Sequence, residues 1–340
     1  MKYKKIVMPH KGGISVLKVT EDKLSDLSAG QVCVKVLYAG VSFADVLIRE
    51  GVYLGMPKFP LTPGYDLVGI VEQVGSNVSS FSKGQRVAAL TVTGSYSEYV
   101  TLPENELTTI PDDIKLSEAV CLILNYMTAF QMLHHTAKVQ AGQTILIHGV
   151  SGGVGTALLQ LGALQSLTMY GTASRPKHQQ VKNMGGIPID YKNVDFAKEI
   201  KKLTNNRGVD IVFDGNGSEL NRSYSVLKKR GKLVLYGISS MLVNGKSSWL
   251  RRISTLLNFS IFLRNLIPDS KSVELYQITG YKKKYPQLFK DDLSYLFGLL
   301  RDKKISPVIA NVFPLEDAAR AHDLLNNAAV FGKIILGLNP

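Results

Sequence analysis

Nine residues, IHGVSGGVG at 147–155, carry the clearest chemical signal in the sequence. The run TILI leads into them and VGTALLQL leads out, as the strand and helix do around the dinucleotide-binding fingerprint G-x-G-x-x-G. Val150 occupies the first glycine position, with Gly149 one place earlier, while Gly152 and Gly155 keep the second and third. Such a loop offers backbone N–H groups and the positive end of a helix to a pyrophosphate. The residues predicted to hold a nucleotide are Ser151, Gly152, Gly153, Val154 and Gly155.

The residues about 20 positions further on indicate which nucleotide the loop holds. An NAD site places an acidic residue at the end of the second strand, where it binds the ribose hydroxyls. Here Ala173 stands at that position, and Ser174, Arg175 and Lys177 follow it. A hydroxyl and two cations suit a 2′-phosphate, because a dianion needs donors and positive charge. The sequence therefore favours NADPH over NADH; the alternative is a basic helix N-terminus that binds nothing.

Strands and helices alternate around the loop at the spacing of a doubly wound parallel sheet. The pattern predicts strands at 144–149, 166–172, 187–190, 209–215 and 232–237, with a helix after the loop and others at 177–186, 196–206 and 219–229. Before about residue 120, valine-rich runs punctuated by Gly, Asn and Ser indicate an irregular β domain.

The end of the chain predicts a helix at 291–304 and then a strand, a helix and a strand. This tail is too short to form a domain, so it is expected to complete the first one. The predicted fold is α/β, with one domain formed by 1–124 and 271–340 and a sheet domain at 125–270 inserted between them.

Length and composition set limits on the class of protein. The 340 residues are 45 % hydrophobic and 20 % charged, as in globular proteins, and the net charge of +13 is spread along the chain without a nucleic-acid-binding motif. Two cysteines, Cys33 and Cys121, exclude a disulfide scaffold and a four-cysteine zinc site. The N-terminus has no apolar signal region and no run is long enough to span a bilayer, so a cytoplasmic location is expected.

Several motifs, in the right order, resemble those of the medium-chain dehydrogenase/reductase superfamily and of its zinc-free quinone oxidoreductases, the zeta-crystallin type. GVSFADVLIREGVY at 40–53 resembles GxNFxDxxxRxGxY, and PGYDLVGIVEQVG at 63–75 resembles PGxExxGxVxxVG. LNYMTAF at 124–130 and YGTASRPKH at 170–178 most resemble the synaptic-vesicle membrane protein (vesicle amine transport) subgroup. The resemblance implies a GroES-like domain with an inserted Rossmann domain, an active site between them and a homodimer.

The resemblance also implies further cofactor-binding residues. Asn125 and Thr128 match residues near the nicotinamide, although a helix N-terminal cap is the alternative for both. The other matched residues are Tyr191, on the adenosine phosphate side; Gly237, Ile238 and Ser239, under the nicotinamide ribose; and Lys333, in a late Gly-Lys pair.

The resemblance further implies that the reaction uses no metal. Gly64-Tyr65-Asp66 stands where zinc-using relatives have Gly-His-Glu, and tyrosine is not a usual zinc ligand. Without zinc no Lewis acid lowers the pKa of an alcohol. The expected reaction is therefore hydride transfer from NADPH to an acceptor that is already polarised, a quinone or an α,β-unsaturated carbonyl compound.

Three residues of the first motif are catalytic candidates. Tyr53 matches the tyrosine that closes the motif and either donates a proton or packs at a loop edge. Asp45 joins a polar network in the pocket or caps the following helix. Ser42 replaces the asparagine of many relatives and offers one donor where an amide offers two.

Ser42, together with Val46 and Leu47 where some relatives have a second tyrosine, keeps a second function open: an NADPH-binding sensor, or a lipid- or membrane-associated protein, with weak reductase activity. The apolar, arginine-bearing segment 249–267 has two interpretations, a pocket wall with a dimer contact or an interfacial helix in weak contact with a membrane surface.

Overall fold

The computed structural model describes residues 1–53, 55–56, 58–238, 242–243, 246–247, 259–266, 271–328 and 330–338. The predictions for Ser239 and for most of 249–267 lie outside this part of the chain. The strands are β1 (Lys2–Val7), β2 (Lys18–Lys23), β3 (Gln31–Val41), β4 (Asp66–Val74), β5 (Arg86–Leu90), β6 (Tyr99–Pro103), β7 (Leu107–Thr109), β8 (Thr144–Ile147), β9 (Thr168–Ala173), β10 (Gly186–Asp190), β11 (Val209–Asp214), β12 (Leu227–Leu235), β13 (Leu242–Val243), β14 (Lys246–Ser247), β15 (Ser272–Leu275), β16 (Ile309–Pro314) and β17 (Lys333–Gly337). The helices are α1 (Phe43–Arg49), α2 (Leu116–Ala137), α3 (Gly153–Leu164), α4 (His178–Asn183), α5 (Phe196–Leu203), α6 (Leu220–Ser225), α7 (Ile278–Lys284), α8 (Pro286–Arg301) and α9 (Ala318–Asn326).

The chain forms two compact units. The first comprises Met1–Asn125, Asn244–Lys246 and Gln287–Pro340, and the second comprises Tyr126–Val243 and Ser247–Pro286. The sequence placed its second domain boundary at 270/271, whereas β15 at Ser272–Leu275 belongs to the sheet of the second unit.

A parallel sheet of six strands, in the order β10-β9-β8-β11-β12-β15, forms the second unit. Counted along the chain this order is 3-2-1-4-5-6, the arrangement of dinucleotide-binding sheets. The strand order reverses between β8 and β11, and ligands of open α/β sheets bind at the carboxyl ends of the strands beside such a reversal. Both the predicted sheet and the predicted place of the glycine loop, directly after β8, are confirmed.

The mainly antiparallel sheet of the first unit follows the order β16-β17-β3-β4-β5-β7, with β6 also paired to β3. β17, from the end of the chain, lies between β16 and β3 and is antiparallel to β3. Ile334 and Leu336 of β17 are buried in one cluster with Val34 of β3 and Leu67 of β4. The expectation that the tail completes the N-terminal β domain is thus confirmed.

The helices predicted at 177–186, 196–206 and 219–229 were too long, since the observed helices end at Asn183, Leu203 and Ser225. The sequence predicted a helix at 219–229, but α6 ends at Ser225 and β12 begins at Leu227. Val226 and Leu227 are buried in the core of the second unit, and Leu227 pairs with Val209 of β11. Pairing with a neighbouring strand outweighs the helix propensity of the lysines that follow.

α2 is the one helix of the described residues that is long and apolar enough to cross a membrane. Of its most apolar 18-residue window, 72 % is buried inside the protein. The core helix of a soluble domain has the same length and composition, so this helix is weak evidence for a membrane span.

Candidate active site

The glycine loop has the geometry of a phosphate cradle. Gly149 has φ of +67°, a conformation that favours glycine, and Gly152 is the N-cap of α3. A Cβ atom on Gly155 would lie 2.5 Å from the carbonyl oxygen of Val150, so close packing of helix on loop requires glycine there. A Cβ on Gly152 would meet nothing of the protein closer than 3.4 Å, so neither the fold nor φ requires this glycine. The missing side chain leaves room in front of the free N–H groups of α3, and these residues fit a pyrophosphate.

A basic segment follows the neighbouring strand β9. Ser174 is the N-cap of the turn Arg175–Lys177, and the Lys177 ammonium donates to the Ser151 hydroxyl over 3.3 Å. Burial, and then the charge of Lys192, lowers the pKa of Lys177. An anion beside Lys177 would oppose both effects, so the segment favours a negatively charged ligand.

The other predicted cofactor residues of the second unit are spread over three elements. Tyr191 directly follows β10 and is half exposed, which places it at the same edge of the sheet as the glycine loop. Gly237 and Ile238 follow β12, and a Cβ on Gly237 would lie 2.5 Å from the carbonyl oxygen of Gly215. Thr128 is buried in α2. The helix-cap alternative for Asn125 and Thr128 is wrong, because α2 begins at Leu116.

In the first unit, Ser42 and Asp45 close the N-terminus of α1 as a capping box. Asp45 Oδ2 accepts from the Ser42 backbone N–H at 2.9 Å and from the Ser42 hydroxyl at 2.6 Å, while Asp45 Oδ1 accepts from the Gly64 N–H at 3.0 Å. Burial raises the pKa of Asp45 to about 6. The helix-capping role expected for Asp45 is confirmed. The single hydroxyl hydrogen of Ser42 is bound to Asp45, so Ser42 cannot polarise a substrate without breaking that bond.

Tyr53 and Tyr65 form a pair of phenols. Their hydroxyl oxygens lie 2.6 Å apart, and their rings meet edge to face with centroids separated by 6.2 Å. Tyr65 is buried, whereas Tyr53 keeps part of its surface exposed. The hydroxyl of Tyr65, the residue that the motif resemblance aligns with the histidine of zinc-using relatives, thus contacts the candidate proton donor.

A buried ion pair joins two distant segments of the first unit. The Lys333 ammonium lies 2.9 Å from Asp66 Oδ2 and 3.0 Å from Asn125 Oδ1, and the ion pair is almost completely inaccessible to water. Because an ammonium group can only donate, the oxygen of the Asn125 amide must face Lys333 and its NH2 group must face away. A Cβ on Gly40 would collide with both Asp66 and Lys333, so the pair requires glycine at that position of β3.

A second buried chain of polar groups links α1 to α9. Arg49 Nη1 lies 3.2 Å from His322 Nδ1, and His322 Nε2 lies 3.2 Å from the Tyr96 hydroxyl oxygen. Arginine has no acceptor, so Nδ1 accepts and the imidazole carries its hydrogen on Nε2. Burial, with the charge of Arg49, lowers the pKa of His322 to about 3.

Comparison with known proteins identifies the family. Two family models match: one described as an alcohol dehydrogenase GroES-like domain, at residues 28–112, and one described as a zinc-binding dehydrogenase, at residues 186–336. The synaptic vesicle membrane protein VAT-1 homolog of Rattus norvegicus is 35 % identical over 315 residues, covering 92 % of this chain and 78 % of its own. The chain belongs to the medium-chain dehydrogenase/reductase family. Other members that it resembles include the quinone oxidoreductase of Homo sapiens, 29 % identical over 331 residues that cover 96 % of this chain and 94 % of the relative.

Solved structures of this family share the fold over the whole chain. The human synaptic vesicle membrane protein VAT-1 homolog-like protein superposes with a TM-score of 0.85 at 28 % identity and covers 100 % of this chain and 99 % of its own. The quinone oxidoreductase of Escherichia coli, solved as a complex with NADPH, gives 0.87 at 26 % identity, with 98 % and 99 % covered. As a medium-chain dehydrogenase/reductase related to these enzymes, the chain is an oxidoreductase of the quinone oxidoreductase type.

In this medium-chain dehydrogenase/reductase, several contacts between the candidate residues were not predicted from the sequence. The Tyr53–Tyr65 contact and the Asp66–Lys333 pair each join residues singled out for unrelated reasons. A signal for the second was present, since a lysine in a buried strand needs a carboxylate partner. Among the described residues, no group of three or more His, Cys, Asp and Glu side chains could hold a metal ion. The metal-free reaction, the homodimer, the membrane-surface contact and the cytoplasmic location stay predictions.

Proposed function

We propose that this oxidoreductase uses NADPH to reduce a quinone or an α,β-unsaturated carbonyl compound without a metal. The observation that carries the proposal is the cradle formed by the glycine loop and the basic segment. Gly152 leaves space that the protein does not need, and the Lys177–Ser151 contact brings a cation to its border. The relative of known structure that was solved with NADPH supports the choice of cofactor.

In this proposal the N–H groups at the start of α3 bind the pyrophosphate, and three side chains take the 2′-phosphate: Ser174, Arg175 and Lys177. When bound, NADPH supplies the hydride. Tyr53 supplies the proton that the reduced acceptor needs, since the hydroxyl hydrogen of Ser42 is held by Asp45. Asp45 keeps its structural place between α1 and Gly64 and takes no part in the chemistry.

Cofactor titrations test the first half of the proposal. The Arg175→Ala and Lys177→Ala variants should each weaken NADPH binding about 10- to 100-fold, because a hydrogen bond to a charged group contributes about 1.5–3 kcal/mol. NADH lacks the 2′-phosphate, so its affinity should barely change. Lys182→Ala is the matched control, because Lys182 is an exposed cation of the adjoining helix α4. Wild-type protein that binds NADH as tightly as NADPH would refute the choice of cofactor.

Turnover tests the second half. Consumption of NADPH is followed by its absorbance with panels of ortho-quinones, para-quinones and enones, and turnover with at least one acceptor class is expected. An NADPH-binding sensor with weak activity is the second candidate, favoured by the bound hydroxyl of Ser42 and by relatives named as vesicle membrane proteins. Tight NADPH binding without turnover of any acceptor would select the sensor.

A further inference from the structure

The contact between Tyr53 and Tyr65 has a consequence for any step in which Tyr53 loses its proton. Before such a step, either hydroxyl can be the donor across the 2.6 Å that separates the two oxygens. After it, Tyr53 is a phenolate and can only accept. The hydroxyl of Tyr65 is then within range to donate to the new negative charge. Such charge-assisted hydrogen bonds are shorter and about twice as strong as neutral ones.

The surroundings hold Tyr65 firmly in this position. Its backbone carbonyl accepts from the N–H groups of Thr91 and Val92, and the preceding Gly64 donates to Asp45. Gly64 has φ of +109°, and a side chain there would collide with Ser95. A donor fixed by its own backbone needs little reorganisation when charge develops beside it, and this is the condition for strong electrostatic stabilisation.

The two phenols differ in access. Tyr53 is partly exposed and can reach a molecule outside the fold, whereas Tyr65 is buried. Burial, and then the charge of Asp45, raises the pKa of Tyr53, while the hydrogen bond from Tyr65 lowers it. Tyr53 thus has the access to give a proton away, and Tyr65 is placed to make that loss easier.

We propose that Tyr65 is a positioning residue that donates a hydrogen bond to Tyr53 as Tyr53 gives its proton to the acceptor. This inference rests on the proposed function, in which Tyr53 is the proton donor. The acceptor gains a hydride from the cofactor, which is oxidised, and a proton from Tyr53. The Tyr53 O–H bond breaks and a new O–H or C–H bond forms on the reduced product. Water at the exposed side of Tyr53 then protonates the Tyr53 phenolate and restores its O–H bond.

The test combines single and double variants of the full chain with NADPH and an accepted quinone. Tyr65→Phe should lower kcat roughly 10- to 100-fold, the effect of losing one hydrogen bond to a charged group. KM and the affinity for NADPH should stay as in the wild type. In the Tyr53→Phe background, adding Tyr65→Phe should have no further effect, because the residue acts through Tyr53. Tyr99→Phe, which removes a phenol hydroxyl from β6 of the same unit, is the matched control and should keep full activity.

A second measurement needs neither cofactor nor substrate. In protein labelled with 13C at tyrosine Cζ, the Tyr53 signal is assigned from the spectrum of Tyr53→Phe and titrated with pH. The Tyr53 signal should titrate at higher pH in Tyr65→Phe than in the wild type, and at an unchanged pH in the control variant. This readout also covers the case in which a variant loses activity for lack of folding, since an unfolded variant would lose the dispersed spectrum.

The outcomes separate the two proposals. If no acceptor is turned over, the proposed function fails, and the titration alone decides whether Tyr65 donates to Tyr53. If the wild type is active and Tyr53→Phe retains full activity, the donor role and this inference fail together while the reductase function stands. If Tyr65→Phe lowers kcat equally in the wild-type and Tyr53→Phe backgrounds, or leaves the titration of Tyr53 unchanged, Tyr65 has only a structural role. Either result would overturn this inference and leave the proposed function standing.

Discussion

Replacing Lys333 by methionine should destabilise the first unit by about 3–5 kcal/mol, the usual cost of leaving a buried charge without its partner. Asp66 is fully buried, one of its oxygens has no hydrogen-bond partner, and the other faces the Lys333 ammonium at 2.9 Å. At that distance two unit charges attract by about 6 kcal/mol for an effective dielectric constant of about 20. Methionine keeps the length and apolar stem of lysine, so little of the loss comes from a cavity.

The loss of stability caused by Lys333→Met should be smaller at low pH than at high pH. Burial raises the pKa of Asp66, and Lys333 opposes this rise. Without the Lys333 ammonium, the pKa of Asp66 in the folded protein rises further above its pKa in the unfolded chain. A carboxyl group whose pKa is higher in the folded protein than in the unfolded chain contributes stability that is present at low pH and is lost as the pH rises through the folded-state pKa. Lys333→Met should therefore lie closer to the wild type at pH 5 than at pH 8.

Thermal unfolding followed by circular dichroism measures the effect. For a unit of about 150–250 residues, 1 kcal/mol shifts Tm by about 2–4 °C, so the expected loss is roughly 6–20 °C at pH 8. The control is Lys83→Met, which breaks an exposed ion pair with Glu72 and should cost about 1 kcal/mol at most. Adding Asp66→Asn to Lys333→Met should recover part of the loss, because no charge then stays buried. A double variant no more stable than the single one would refute this reasoning.

Four other substitutions have expected outcomes. Gly155→Ala should lower the free energy of unfolding by about 1–3 kcal/mol, because its Cβ would overlap backbone. Gly152→Ala should melt at the wild-type temperature yet bind NADPH more weakly. A Gly152→Ala variant that melts at a lower temperature but binds NADPH as tightly as the wild type would contradict the cofactor-binding role of Gly152. Burial lowers the pKa of His322 to about 3 in the folded protein, whereas its pKa in the unfolded chain is about 6.5. The free energy of unfolding should therefore fall as the pH drops below about 6.5, by about 2 kcal/mol at pH 5. His322→Gln should abolish this loss, as measured by urea titrations at the two pH values. Ser42→Ala should cost about 1 kcal/mol as a lost helix cap, and an unchanged melting curve would argue against it.

The fold could be predicted because its signals are local. The strands β8 to β11 are short runs rich in apolar residues, each followed by a helix, and the glycine loop marks the point where the first of them ends. The prediction of a helix at 226–229 was wrong because the structure of these residues depends on a contact that is distant in sequence. Those residues carry no strand signal of their own, and they form β12 because Leu227 finds a partner on β11.

The contacts of the candidate site could be predicted only in part. Capping of the following helix was one of the two roles predicted for Asp45, and Asp45 forms a capping box with Ser42 at the start of α1. The Asp66–Lys333 pair joins residues 267 positions apart, and no periodic pattern connects them. The same limit applies to Tyr53 and Tyr65, which belong to different motifs and meet only when the loop between them folds.

The position of β17 imposes an order on biosynthesis. β17 lies inside the sheet of the first unit, between β16 and β3, so the Tyr38–Val41 part of β3 has an open edge until Lys333–Gly337 has been translated, whereas β6 pairs with the earlier part. At about 5–20 residues per second, the interval between the end of β3 and β17 lasts roughly 15–60 seconds. The parallel sheet of the second unit is complete in sequence by Leu275 and can form first. The nascent chain must therefore keep an apolar strand from pairing wrongly for most of its synthesis, and ribosome-associated chaperones are expected to contact β3 during that time.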